Sequence, residues 1–209
     1  MNAVATNSRA SSNSREANIR ETLIDLLADG GYQHASMRRL AERAGIPVSA
    51  VYTYTDSKED LVFDIMDELM SELLTETNMV LESLTDPAGR LRAFIFRLAL
   101  RTAVRHKESR ILQRELRSLS AQRQKHIISY RDRYEQILRG ILNEIEPKLS
   151  PDSREVKHFT LAILGMCTSI SDWYHPGENL MTPDEIGNFY ADLVLSMTSA
   201  TLGADVVAI

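Results

Sequence analysis

The amino-acid sequence predicts an all-α protein, and three observations predict it. Apolar residues recur at helical spacing along most of the chain. No stretch shows the sustained alternation of β-branched residues that marks a strand. Glycine and proline are sparse, 9 and 6 in 209 residues, and they punctuate the apolar stretches. That length leaves room for one large domain, or for a small one followed by a medium one. With 44% hydrophobic and 25% charged residues, the composition is that of an ordinary globular chain, not a disordered or membrane one. No apolar run approaches the roughly 18 residues of a membrane helix. Residues 1–14 are rich in Asn, Ser and Ala and carry no apolar signal-peptide core. They read as a disordered arm on a cytoplasmic protein.

A first helix is expected from Arg15 to Asp29, with Ile19, Leu23, Leu26 and Leu27 as its apolar stripe and Gly30-Gly31 as its stop. Ser36 is a good N-cap for a second, short helix that turns Leu40, Ala41 and Ala44 inward and ends at Gly45. After Ile46-Pro47 a third short helix is expected from Val48 to Tyr54. Asp56 with Glu59 and Ser57 with Asp60 both fit the capping-box spacing. The helix they open carries Leu61, Ile65, Leu69 and Leu73 and is expected to reach Leu84. Asp86-Pro87 starts a fifth helix (Leu91, Phe94, Ile95, Leu98). Two basic helices follow, near Lys107–Leu119 and Ala121–Glu146, before Pro147 and Pro151 break the chain. An eighth helix runs from Val156 to Trp173, and a ninth carries Ile186, Phe189, Leu193 and Met197.

Two short helices joined through a Gly-centred turn and preceded by a third form a helix-turn-helix arrangement. Leu40 and Val51 are expected to face each other and set the crossing. Ser49, Ala50 and Thr53 are small enough to let the third helix approach base edges. Tyr52, Tyr54 and Lys58 are placed to meet phosphates, Lys58 at a helix N-terminus. Ser36, Arg38 and Val48 complete the candidate DNA-contacting set. Between Ser36 and Lys58 four cations face two carboxylates, although the chain as a whole carries a net charge of −5. That balance excludes a protein that coats nucleic acid by bulk electrostatics and leaves a local DNA-binding face. The same pattern also fits three short helices of an ordinary bundle, with Tyr52 and Tyr54 as packing aromatics.

The run from Ser36 to Leu61, SMRRLAERAGIPVSAVYTYTDSKEDL, resembles the signature of the tetracycline-repressor (TetR) family, with a Ser cap, a Leu-Ala pair, Ala-Gly-Ile, a Tyr-x-Tyr and Ser-Lys-Glu-x-Leu. Two departures stand out. Thr55 occupies the usual Phe position, so Phe63 is a candidate to supply that packing. Pro47 replaces a capping Ser, and Pro suits a first helical turn. The resemblance implies a DNA-binding domain at residues 15–62 and a ligand-binding and dimerisation domain at 63–209. It further implies that helices four to seven enclose a pocket and that helices eight and nine pair across a two-fold axis. The last two helices also carry wider apolar stripes than one subunit needs, which makes Met166, Ile170, Phe189, Leu193 and Met197 candidates for a homodimer interface.

Eleven basic residues lie between Arg101 and Arg139 against four acidic ones. An Arg-rich face beside an apolar cavity suits a ligand with a phosphorylated head and an apolar tail, such as a coenzyme A thioester. The segment Arg114 to Arg123 and the segment Ser171 to Pro183 resemble the branch of the family that senses fatty-acyl or sterol-derived CoA thioesters. Candidate ligand residues are Phe94, Leu98, Leu112, Arg114, Glu115, Leu116, Arg131, Tyr134, Leu164 and Trp173. The plainer reading of the basic run is a solvated face that pairs with acidic neighbours. The expectation is a repressor that binds a palindromic double-stranded operator as a homodimer and responds to a small-molecule effector. The alternatives are a repressor of the same type with another apolar or drug-like ligand, and a helical ligand-binding protein that does not touch DNA.

His34, His106, His126, His158 and His175 show no metal-ligand spacing with one another or with Cys167, the single cysteine, which reads as a core residue. No phosphate loop, nucleophile elbow or paired-carboxylate site is visible. No catalytic residue, metal or cofactor is therefore assigned, and an enzyme is not expected.

Overall fold

The computed structural model describes residues 3–178 and 181–202. Among them there is no strand. The chain divides into two compact units, Met1–Glu68 with Arg110–Gln124, and Leu69–Ser109 with Lys125–Ile209.

The first unit opens with α1 (Ala3–His34), which starts well before Arg15. The predicted disordered arm is helical from Ala3 onward, since no Gly or Pro precedes Gly30 to stop the helix; Met1 and Asn2 lie outside the described residues. The stripe Ile19, Leu23, Leu26 and Leu27 is buried. The expected stop appears as a break inside α1. Gly31 has φ 70 and ψ −179, a region open essentially to glycine alone. The helix α2 (Met37–Ala44) is capped by Ser36, whose Oγ accepts from the Arg39 N–H at 3.2 Å, and it ends at Gly45. The third helix, α3, covers only Val48–Val51. Its predicted last turn tightens, with Thr53 N–H donating to Ala50 O and Tyr54 N–H to Val51 O. Of the two candidate capping boxes the structure uses Ser57–Asp60: Ser57 Oγ accepts from the Asp60 N–H at 3.1 Å and donates to its carboxylate at 2.6 Å. The helix α4 (Lys58–Glu82) follows.

Residues 110–124 join this unit, which the predicted boundary at residue 62 does not anticipate. The reason is a set of bonds to the first turn of α4. Ser120 N–H donates to Glu59 at 2.8 Å, and Arg123 bonds Asp60 while its guanidinium lies 5.0 Å from the Phe63 ring centroid. Phe63 thus supports an arginine, whereas Val62 is the fully buried residue beside it.

The second unit is built on α5 (Pro87–Val104), whose N-cap Asp86 accepts from the Gly89 N–H at 2.6 Å. Packed on α5 are α8 (Arg154–Thr168), α9 (Ile170–Trp173) and α10 (Pro183–Leu202). The approach of α10 is close: a Cβ on Gly187 would lie 2.8 Å from the Phe96 ring. The helix α6 (His106–Arg114) gives way to a 3₁₀ turn at Leu116–Ser118, short of its predicted end, and α7 (Ala121–Ile145) matches expectation within a residue. The helix predicted from Val156 to Trp173 is divided at Ser169. Thr168, Ser169 and Ser171 all turn their hydroxyls back onto carbonyls of the preceding turn, which competes with the helical ladder. Phe94, Leu98, Tyr134, Leu138, Phe159, Ile163, Cys167 and Val194 belong to one core cluster, and Ala99, Ala103, Ile170, Tyr174 and Ile186 to another.

Candidate DNA-reading surface and ligand-binding core

In the first unit, Leu40 and Val51 are both buried, as the helix-turn-helix reading requires, and α3 packs on α2. That packing leaves Val48 38% and Tyr52 52% exposed. Ser49 and Thr53 are exposed beside them, while Ala50 and Tyr54 are half-buried. The flanking cations all have intramolecular partners. Arg38 pairs with Glu42 at 2.9 Å, Arg39 donates to His34 O at 3.0 Å and Arg43 pairs with Asp29 at 3.0 Å. Arg38, Arg39 and Arg43 remain solvent-exposed, so their pairs are weak and exchangeable against a phosphate.

Lys58 departs from its expected role. Its Nζ donates to Tyr32 O at 2.6 Å and sits 3.5 Å from the Tyr32 ring centroid. Burial lowers its pKa, partly offset by Glu115. The side chain ties α1 to the start of α4, so a phosphate would have to compete with the Tyr32 carbonyl for it. Lys58→Met, which keeps the stem, is therefore expected to leave the slope of log affinity against log salt on DNA unchanged and to cost about 1 kcal/mol of stability. Arg38→Ala should reduce that slope by about one. Binding titrations over a salt series make the comparison, and a reduced slope for Lys58→Met would restore it to the phosphate set.

The contact of Glu59 and Asp60 with Arg123 and Ser120 carries a pH signature. Asp60 lies below its ordinary value because Ser57 donates to it and Arg123 bonds it. A carboxylate depressed in the folded state adds stability above its unfolded value near 4, and that stability disappears as pH falls through the lower folded value. Asp60→Asn should thus be less stable than the parent at neutral pH, and the gap should close below about pH 4. Urea unfolding at stepped pH reads it; a gap constant from neutral to acid pH would mean that the carboxylate charge is not what stabilises the contact.

The candidate ligand residues fall in both units. Leu112, Arg114, Glu115 and Leu116 belong to the first, where Leu112 is buried and Arg114 exposed. Arg110, Arg114 and Glu115 there line a groove of about 350 Å³ against Asp29, Gly30 and Gly31. Phe94, Leu98, Arg131, Tyr134, Leu164 and Trp173 belong to the second unit. Phe94 and Tyr134 stack with centroids 4.4 Å apart, and the Tyr134 hydroxyl lies 3.4 Å from Thr77 Oγ1. Burial raises the Tyr134 pKa and pushes the Cys167 thiol up to about 12, so Cys167 is a protonated core residue. Arg131, one turn before Tyr134, is half-buried, and desolvation lowers its pKa. Trp173 does not line this core: it is 44% exposed, and its neighbour Tyr174 is the buried aromatic. The division at Ser169 puts Tyr174 and Ile170 on the inner side. Ile170 is accordingly fully buried, which removes it from the expected interface set. Met166 and Met197 are half-buried against the core and Leu193 is half-buried, whereas Phe189 is 53% exposed, as are Leu161 and Trp173 in part. A separate groove of about 290 Å³ between Glu82, Arg90, Gln136 and Glu144 includes none of the predicted ligand residues.

Part of the basic run follows its plainer reading. Arg101 pairs with Glu72 and Glu76, Arg105 with Glu72 and Glu108, and Arg139 with Glu135 and Asp152. Among the described residues no group of three or more metal-ligating side chains is gathered, and no helix is long and apolar enough to cross a membrane.

An exposed recognition segment held by a buried helix crossing, in a chain built only of helices among its described residues, defines the class of helix-turn-helix regulators. Residues 19–65 match the model of the bacterial regulatory proteins of the tetR family, and residues 84–198 match that of the tetracyclin repressor-like C-terminal domain. The chain belongs to the TetR family of transcriptional regulators. It is 25% identical over 187 residues to the HTH-type transcriptional repressor KstR2 of Mycobacterium tuberculosis, a match covering 88% of this chain and 92% of the relative. It is 24% identical over 124 residues to the fatty acid metabolism regulator protein of Bacillus subtilis, spanning 59% of this chain and 64% of that protein. Its fold is similar to that of the ketosteroid transcriptional regulator KstR2 of M. tuberculosis (TM-score 0.79, 24% identity, 88% of this chain and 95% of that one). It is also similar to that of AibR in complex with isovaleryl coenzyme A and operator DNA (TM-score 0.72, 22% identity, 91% of this chain and 99% of that one).

Proposed function

We propose that this protein is a repressor that holds a palindromic operator as a homodimer and releases it when a CoA thioester, fatty-acyl or sterol-derived, enters the second unit. The observation that carries the ligand half is the stacked Phe94–Tyr134 pair with half-buried Arg131 one helical turn away. An apolar chain can replace those ring contacts, while a partly desolvated guanidinium favours an anionic or carbonyl group. The relatives named for fatty acid metabolism and for ketosteroid regulation, and AibR with isovaleryl coenzyme A, support the same chemistry. The homodimer would form over the exposed Leu161, Trp173 and Phe189 with Leu193, and two reading heads would meet two half-sites.

A second reading rests on the ion pairs. With Arg101, Arg105 and Arg139 engaged by carboxylates, part of the charge expected for a polyphosphate head is already balanced, which favours a neutral apolar effector. Fluorescence anisotropy of the full chain on DNA from upstream of its own gene separates the two. Salt-sensitive binding released by an acyl-CoA, with free CoA ineffective, supports the first reading. Release only by a neutral apolar compound favours the second, and salt-insensitive or absent binding to any duplex defeats the repressor reading itself.

A further inference from the structure

We infer that the recognition segment reads thymine methyl groups, with Val48 and the γ-methyl of Thr53 as the specificity-determining contacts; this rests on the reading of the chain as an operator-binding protein. From Ile46 to Thr55 the sequence is Ile-Pro-Val-Ser-Ala-Val-Tyr-Thr-Tyr-Thr, without a single Arg, Lys, Asn, Gln, Asp or Glu. Guanine is read in the major groove by bidentate Arg or Lys, adenine by Asn or Gln, and cytosine by a carboxylate. None of these is available on α3. The flanking cations are engaged within the chain: Arg38 bonds Glu42, Arg39 the His34 carbonyl, Arg43 Asp29 and Lys58 the Tyr32 carbonyl.

Beside the hydroxyls of Ser49 and Tyr52, the segment exposes hydrocarbon. Val48 is 38% exposed at the start of the helix. Thr53, in the turn that follows α3, is exposed as well, and its hydroxyl donates to Ala50 O at 2.7 Å. With its proton committed within its own turn, the hydroxyl is left as an acceptor only, and the methyl is the apolar group Thr53 offers to a partner. Ala50 and Ser49 between them are small enough for the segment to approach closely. The one apolar feature a base pair presents in the major groove is the thymine 5-methyl. Val51 lies buried beneath, so the exposed set cannot rotate to present other groups.

The full-length protein is used to select duplexes from a randomised pool, and binding of the selected duplex is measured by anisotropy at fixed salt. Single dT→dU replacements then remove one methyl group each without touching hydrogen bonding. At least one thymine per half-site should be selected, and its replacement should weaken binding about fourfold, the worth of one buried methyl. Val48→Ala or Thr53→Ser, the latter keeping the hydroxyl, should bind the thymine duplex more weakly and lose sensitivity to uracil at one position. Uracil tolerated at every selected position, or variants as uracil-sensitive as the parent, would overturn the inference and leave the repressor reading intact. Binding without any selected sequence would overturn both.

Discussion

Leu40→Ala should destabilise the reading head by about 2–5 kcal/mol, the range for truncating a fully buried leucine. Leu40 sits at the crossing of α2 and α3 with Val51, and both are almost wholly withdrawn from solvent. The head is a small unit with few other residues to collapse into the void, which places the cost toward the upper part of that range. DNA affinity should fall in proportion to the folded fraction, because only the ordered head is competent to bind. At least a tenfold loss is expected once the head is mostly unfolded, with hydrogen exchange accelerated at α2 and α3. Leu40→Met conserves volume and should stay within about 1.5 kcal/mol of the parent. A Leu40→Ala protein that binds DNA as tightly as the parent would mean that this crossing does not position α3.

Phe94→Ala should cost about 3–5 kcal/mol in the second unit. Phe94 is fully buried and stacked on Tyr134 in the core cluster that also holds Leu98, Phe159, Ile163 and Cys167. The lost ring leaves an apolar void, and such voids bind apolar guests instead of water. On the proposed function the variant should therefore shift its preference toward longer or bulkier acyl-CoA thioesters. Those ligands should restore part of the lost melting temperature, since a ligand bound only to the folded state stabilises it by mass action. Thermal unfolding with a graded series of acyl-CoA chain lengths reads both effects. Destabilisation with unchanged chain-length preference would place the effector elsewhere than around Phe94.

Much of the local architecture was legible from residue types. Ser36, Gly45, Asp86 and Ser57 cap or end helices where their side chains or backbone make that the cheapest arrangement, and these interactions span only a few residues. The buried stripes on α1 and α5 likewise follow from spacing alone. Residues 3–14 are polar, which points to a disordered arm, yet they lack Gly and Pro, and the helix runs through them. The bond made by Lys58 is not legible in the same way: its partner, Tyr32 O, is 26 residues away and is a carbonyl left open in the last turn of α1.

By itself, the sequence determined that the chain is helical, where the helix-turn-helix lies, and that its recognition segment carries no charged side chain, because these properties depend on residues close together along the chain. Only the tertiary structure decided that Trp173 faces outward while Tyr174 and Ile170 face inward, that Arg101, Arg105 and Arg123 of the basic run are matched by carboxylates of α4, and that residues 110–124 join the first unit. Each of those outcomes depends on which distant groups a fold brings within hydrogen-bonding or packing range. A shift of one residue in helical register, such as the break at Ser169, turns a side chain by about 100° and exchanges buried for exposed.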